Sequence, residues 1–196
     1  MKILAFTDLH GNKKAVEEIL KKAKEADIMV CAGDISDWGQ HERTILKELE
    51  KAGKTLLLIP GNHELKEELA ETAQEFSYVV YLHKGSYQFG EYLFFGYGNE
   101  GFALEEKEFE TVAKQFKKTI PKDAKVVLVT HGPPHGTELD YIHNRHVGCK
   151  SITKFIQDVQ PLLSISGHIH ETSGLKQVFG KTLMINPGPE GKILLV

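Results

Sequence analysis

Short apolar runs alternate with amphipathic stretches through the first half of the chain. Residues 3–6, 28–32 and 55–59 are apolar and of strand length, and segments with helical spacing follow them at 13–24, 41–52 and 65–75. The order predicts β-α-β-α-β-α. In the first helix Ala15, Val16, Ile19, Leu20 and Ala23 fall on one stripe behind Asn12, the expected N-cap. Ile45, Leu46 and Leu49 repeat the pattern in the second helix. Both helices are expected to cover a parallel sheet.

The middle of the chain changes character. Runs at 78–82, 87–89 and 92–95 are rich in aromatic residues and are separated by Lys84-Gly85-Ser86 and Gly90-Glu91, which read as hairpin turns. Antiparallel strands are expected there. A helix over 105–118 places Phe109, Val112, Ala113 and Phe116 on one face, and the apolar run 126–130 has the pattern of a buried strand. The polar segment 132–148, rich in Gly, Pro and His, is longer than an ordinary connection, which favours a functional role. A helix at 150–159 and strands at 162–166 and near 176–179, 182–186 and 192–196 complete the pattern. With no linker, repeat or low-complexity segment, 1–196 is expected to be a single domain of two packed sheets, one parallel and one mixed, with helices outside.

Composition narrows the function classes. A formal net charge of −3, from 24 Lys+Arg against 27 Asp+Glu with no basic block, argues against a surface built for long nucleic acid. Cys31 and Cys149 form neither a disulfide framework nor a metal motif, so both are expected to be reduced and structural. The first apolar run is too short for a signal peptide, and no run approaches the ~20 residues of a membrane helix. A cytoplasmic protein without a membrane partner is therefore expected; its oligomeric state is not legible. Lysine and glutamate dominate the charged residues, and Arg43 and Arg145 are the only arginines. Such a bias is compatible with a heat-adapted source.

Metal-capable side chains recur just past the end of five apolar strands. The runs lead into Asp8-Leu9-His10, Gly33-Asp34, Gly61-Asn62-His63-Glu64, His131-Gly132 and Gly167-His168-Ile169-His170. Ligands of open α/β sheets bind at this carboxyl edge, so the five loops can converge on one crevice. Period-two alternation at a strand end would point Asp8 with His10, and His168 with His170, the same way. Two carboxylates, four imidazoles and one amide oxygen are too many for one tetrahedral ion. They suit two ions sharing a bridging carboxylate, the arrangement that holds the attacking and leaving oxygens of a phosphoryl displacement. A mixed N/O set without thiolate points to Mn, Fe, Zn, Co or Ni.

At these residues the chain resembles the calcineurin-like metallophosphoesterases, whose blocks read D-x-H, G-D, G-N-H-[DE], H and G-H-x-H in this order. The resemblance runs from Asp8 to His170 and into Asn186-Pro187-Gly188, and small stand-alone bacterial and archaeal phosphoesterases are the most similar kind. It implies a four-layer α-β-β-α sandwich and two divalent transition-metal ions, Mn²⁺ first among them. It implies that Asp8, His10 and His170 hold one ion, that Asn62, His131 and His168 hold the other, and that Asp34 bridges them. It further implies attack by a metal-bridging hydroxide, protonation of the leaving oxygen by His63, and Glu64 orienting or tuning that histidine. The role suits an imidazole, whose pKa of ~6.5 allows proton donation near neutral pH.

Other residues are candidates for the substrate. Arg145 and His146 lie in the long polar segment, where an arginine can grip a phosphate oxygen by two hydrogen bonds. Asn99, with Tyr97, Gly98 and Phe102, is expected along one wall, and Asp37 and Trp38 at the rim beyond Asp34. His41 and His83 read as solvated surface residues. Two departures stand out. Ser/Thr protein phosphatases of the superfamily have an arginine where this chain has Trp38, and many small relatives have serine where this chain has Pro189. The expected activity is hydrolysis of a small, nucleotide-like phosphodiester or phosphomonoester. The alternative is a metal-binding interaction scaffold of the same fold without turnover, which the intact His63 and full donor set disfavour.

Overall fold

Strand alternation sorts the apolar side chains of this protein into three separate cores. The computed structural model describes residues 1–98 and 101–196. The first half gives β1 (Lys2–Phe6), α1 (Lys13–Ala23), β2 (Ile28–Cys31), α2 (Glu42–Leu49), β3 (Leu56–Leu58), α3 (Lys66–Gln74) and β4 (Val79–Tyr81). The remainder gives β5 (Gly85–Phe89), β6 (Tyr92–Tyr97), α4 (Lys107–Lys117), β7 (Lys125–Thr130), β8 (Tyr141–Ile142), β9 (Arg145–His146), α5 (Lys150–Val159) and β10 (Leu163–Ile165), then β11 (Lys176–Phe179), β12 (Thr182–Ile185) and β13 (Lys192–Leu195).

One sheet has the order β13-β1-β2-β3-β4 and the other β11-β12-β10-β7-β6-β5. Leu4, Phe6, Met29, Cys31, Leu56 and Leu58 face helices α1 to α3. Their sequence neighbours Ile3, Ala5, Ile28, Val30 and Leu57 point the other way and meet Phe94, Val127, Val129, Leu163 and Ile165 of the second sheet. On the far face of that sheet Leu93, Phe95 and Leu128 pack on Phe109, Phe116 and Phe155 of α4 and α5. The period of two thus builds a four-layer α-β-β-α sandwich. Asn12 caps α1 as expected, its side chain accepting from the Lys14 and Ala15 amides.

Three expectations need correction. Residues 78–82 are not antiparallel: β4 extends the first sheet parallel to β3, and the chain then crosses to the second sheet, where β5 and β6 form an antiparallel hairpin, as β11 and β12 do later in the chain. Alternation fixes which face a residue takes but not which neighbour a strand pairs with. Both sheets are mixed, because β13 joins β1 antiparallel. The polar segment also carries its own structure, since β8 and β9 form a ribbon whose connecting His143 and Asn144 have φ of 49° and 60°. Positive φ at both positions is the pattern of a two-residue hairpin turn. No helix among the described residues is long and apolar enough to cross a membrane.

Candidate metal centre

Parallel pairing of β1, β2 and β3, and of β7 with β10, puts the ends of five strands on one edge. The backbone then knits the loops together. The amides of Asp8, His10 and Gly11 donate to the carbonyls of Gly33, Asp34 and Ile35 at 3.1, 3.1 and 3.2 Å, and the Gly167 amide donates to His131 at 2.8 Å. Gly61 is required by proximity, because a Cβ there would lie 2.0 Å from Asp34 Oδ1.

Paired donors do converge, but not through strand alternation. Asp8, His10, Asp34 and His168 have φ of 54°, 43°, 51° and 67°, a left-handed conformation uncommon for non-glycine residues. The chain kinks at each, and the kinks aim the side chains into the crevice. Backbone strain of this kind collects at functional sites.

The atoms fall into two groups around Asp34. On one side lie Asp8, His10 and His170: His10 Nε2 is 3.3 Å from His170 Nε2, and His170 Nε2 is 3.8 Å from Asp8 Oδ1. On the other side Asn62 Oδ1 is 3.0 Å from His131 Nε2 and 2.8 Å from His168 Nδ1. Asp34 Oδ2 lies between them, 3.7 Å from His10 Nε2 and 3.4 Å from His131 Nε2. Asp8, His10 and His170, and separately Asp8, Asp34 and His131, could each hold a metal ion. Two donors on one ion, each at ~2.1 Å and ~90–109° apart, are roughly 3.0–3.4 Å from each other. The His10–His170, Asp34–His131 and Asn62–His131 separations match that chord, so the donor set fits divalent metal.

Hydrogen bonding prepares these donors. The His131 Nδ1–H donates to the Ala32 carbonyl at 2.8 Å, which turns Nε2 toward Asp34 and Asn62. In the metal-free chain burial opposes both charges of the Asp34–His131 pair, yet their mutual attraction wins, holding Asp34 below and His131 above its usual range. With a divalent ion held by His131, Asp34 would keep a positive charge beside it. His168 is pushed down to about 4, by burial first and then by the neighbouring His131 charge, and so stays neutral as a ligand must.

His63 lies beside this centre, its ring 4.6 Å from that of His10. Its Nδ1 is 3.1 Å from Asp37 Oδ1, and Asp37 also lies 3.4 Å from His10 Nδ1. Asp37, expected at the rim, is thus also the partner of His63, a role that the motifs do not show; the available signal was a carboxylate three residues beyond Asp34 in the same loop. Glu64, in contrast, directs its hydrogen bonds to the backbone of Asp34, Ser36 and Gly61 rather than to His63. Its buried carboxylate accepts the amides of Asp34 (3.0 Å), Ser36 (3.0 Å) and Gly61 (2.8 Å) and the Ser36 hydroxyl (3.2 Å), tying the loop after β2 to the loop after β3.

The substrate candidates fare unevenly. Trp38 and Phe102 do stand at the rim, against His63 and His168 respectively. Tyr97 is 1% exposed and belongs to the core under α4. Asn99 lies outside the described residues. Arg145 is exposed on the β8–β9 ribbon, and His146 is held there by a 2.8 Å bond from Nδ1–H to the buried Asp140; neither belongs to the candidate metal groups. His83 is half-buried rather than solvated, accepts the Gly98 amide at 2.9 Å, and is pushed down to about 4 chiefly by burial. An open cavity of about 450 Å³ adjoins the centre on the Asp8 and His170 side, with Pro189 and Lys192 in its wall.

Fold and donor set together describe a sandwich with a candidate site for divalent metal at one edge. The profile of the Calcineurin-like phosphoesterase family matches residues 1–172, and the chain belongs to that family. A UPF0046 protein of Caenorhabditis elegans is 28% identical over 208 residues, covering 95% of this chain and 69% of that protein. Metallophosphoesterase domain-containing protein 1 of Homo sapiens is 41% identical over 63 residues, 31% of this chain and 19% of that protein. Among solved structures, TT1561 of Thermus thermophilus has a TM-score of 0.81 at 19% identity, covering 96% of this chain and 90% of its own. A dimetal phosphatase from Danio rerio has a TM-score of 0.64 at 13% identity, covering 94% and 86%. At these identities the structural likeness is one of fold.

Proposed function

We propose that the chain is a dinuclear metal-dependent hydrolase of a small, nucleotide-like phosphodiester or phosphomonoester. The observation that carries this reading is the position of Asp34 Oδ2, 3.7 and 3.4 Å from imidazole nitrogens of two donor groups on either side of it. Asp8, His10 and His170 would hold one ion, Asn62, His131 and His168 the other, and Asp34 both. Mn²⁺ is the first candidate for a nitrogen–oxygen set without thiolate, before Fe, Zn, Co or Ni. Two such ions supply an acidified water and neutralise charge on the phosphoryl oxygens.

The chain itself supplies position and a proton. Backbone hydrogen bonds tie the loops that carry the seven proposed donors to one edge of the sandwich, which favours little reorganisation on binding. Asp37 fixes His63 through Nδ1, which leaves Nε2 free to carry a proton to the departing oxygen. Glu64 is a positioning residue that keeps Asp34 and Asn62 in register. The net charge of −3 and the absence of a basic block favour a small substrate over long nucleic acid.

The test is turnover after chelation and readdition of metal, with bis(p-nitrophenyl) phosphate, p-nitrophenyl phosphate and a nucleoside monophosphate. Metal-dependent turnover is expected. His63→Ala should lose roughly 10²-fold or more on the nucleoside ester, and less on p-nitrophenolate, which departs without a proton. No turnover with any of the five metals would overturn the proposal and leave a binding scaffold.

A further inference from the structure

Trp38 is the only tryptophan in the chain and is 72% exposed at the rim of the metal centre. One face of its indole lies over the His63 imidazole, with ring centroids 4.5 Å apart and planes inclined by 35°. The turn that presents it is strained: φ is 52° at Trp38 and 72° at Gly39, and the Gln40 amide closes the turn onto the Asp37 carbonyl at 3.0 Å. Two-residue turns with both φ positive favour Asn, Asp or Gly, and a bulky ring in that conformation is an outlier. A lone exposed apolar residue is ordinary. A strained one, covering an imidazole that the Asp37 carboxylate of the same turn also holds, is not.

We propose that Trp38 is the stacking platform for the aromatic ring of the leaving group, the base of a nucleoside or the ring of an aryl alcohol, whose departing oxygen His63 protonates. The inference rests on the reading of His63 as the acid. A leaving oxygen within hydrogen-bond reach of that imidazole brings its own substituent beside the indole. Every base presents a π-face, so stacking selects aromatic over alkyl alcohols without reading base identity. Phe102, 60% exposed with its ring edge-on to His168 at 4.2 Å, bounds the cleft at the opposite donor group.

The sole tryptophan makes the position directly observable. The Mn²⁺-loaded full chain is mixed in stopped flow with adenosine 5′-monophosphate or ribose 5-phosphate, and Trp38 emission is read within the first turnover. The adenosine ester should quench it at a concentration roughly tenfold or more below that needed by the sugar phosphate, and Trp38→Phe should keep most of that preference. Trp38→Ala should bring the two ligands toward equal affinity, measured as KM or, without turnover, as calorimetric Kd. Phenyl phosphate against ethyl phosphate separates the two sources of the ring: a preference there identifies an aryl group as sufficient, and its absence assigns the site to nucleosides. Emission unmoved at saturating adenosine ester, or a preference that survives in Trp38→Ala, overturns the platform. If the preference is present but no metal supports turnover, the platform stands and the phosphoesterase reading fails. If turnover depends on metal and His63 while Trp38→Ala keeps the preference, the reverse holds.

Discussion

Glu64→Gln separates a brace from an acid-tuning residue, and its size follows from four hydrogen bonds. Oε2 accepts the Asp34 and Gly61 amides and Oε1 the Ser36 amide and hydroxyl, in a site where the residue is 6% exposed. An amide of the same shape must turn its NH₂ toward one pair. Facing Ser36 costs less, because that hydroxyl can rotate to accept, but the Ser36 amide is then buried without a partner, at ~1–3 kcal/mol. The bonds that survive lose their ionic character, while Asp34 is relieved of a neighbouring negative charge. The net expectation is a destabilisation of ~2–4 kcal/mol, or ~4–16 °C in Tm for a chain of this size. Thermal unfolding with and without Mn²⁺, a calorimetric Mn²⁺ titration and a pH–rate profile make the assay. Lower stability and weaker metal binding are expected, with activity recovering as Mn²⁺ is raised. Unfolding within ~1 °C of the parent, together with a displaced acid limb, would refute the brace and return Glu64 to His63.

Glu42, buried beside Ser36, is pushed up to about 7 by burial first and then by the charges of Glu64 and Glu68. A folded pKa above the ordinary 4.5 gives stability that is full below about 4.5 and lost as pH rises through about 7. Glu42→Gln should therefore flatten the fall in Tm between ~pH 5 and 8 and melt higher than the parent at the upper end; an unchanged slope would refute the assignment. Gly61→Ala places a Cβ 2.0 Å from Asp34 Oδ1. Calorimetry should show Mn²⁺ binding weakened by roughly 10–100-fold while far-ultraviolet dichroism stays that of the parent, and undiminished affinity would contradict the geometry. Mn²⁺ at ~100 times its Kd should add ~2.7 kcal/mol to stability, reversed by chelator; a Tm insensitive to both would mean that the folded chain does not hold the ion.

Much of the site is legible because its donors follow strands whose apolar runs are unmistakable. The five runs ending before Asp8, Asp34, Asn62, His131 and His168 are buried strands of two sheets, and parallel pairing gathers their ends. Burial periodicity also separates the three cores. What periodicity lacks is pairing: nothing in 78–82 distinguishes the edge of the first sheet from a hairpin of the second, because both are short apolar runs that contain aromatic residues. Backbone kinks are equally hidden. Asp8 and His10 share a direction because both adopt positive φ, a choice imposed by hydrogen bonds from the adjacent loop rather than by their own types. Sequence adjacency misleads at Glu64, which follows His63 yet faces the backbone of Asp34 and Ser36, while the carboxylate that holds His63 comes from Asp37.

One chain is proposed to hold two metal ions that share Asp34. The decisive measurement is Mn²⁺ titration of the metal-free chain, followed by electron paramagnetic resonance and by metal content after gel filtration. Two ions per chain are expected, with the six-line signal of an isolated ion lost as the coupled pair forms, and Asp34→Asn restoring that signal at lower metal content. A single ion per chain, or two whose signals stay uncoupled in the parent and unchanged in Asp34→Asn, would contradict it.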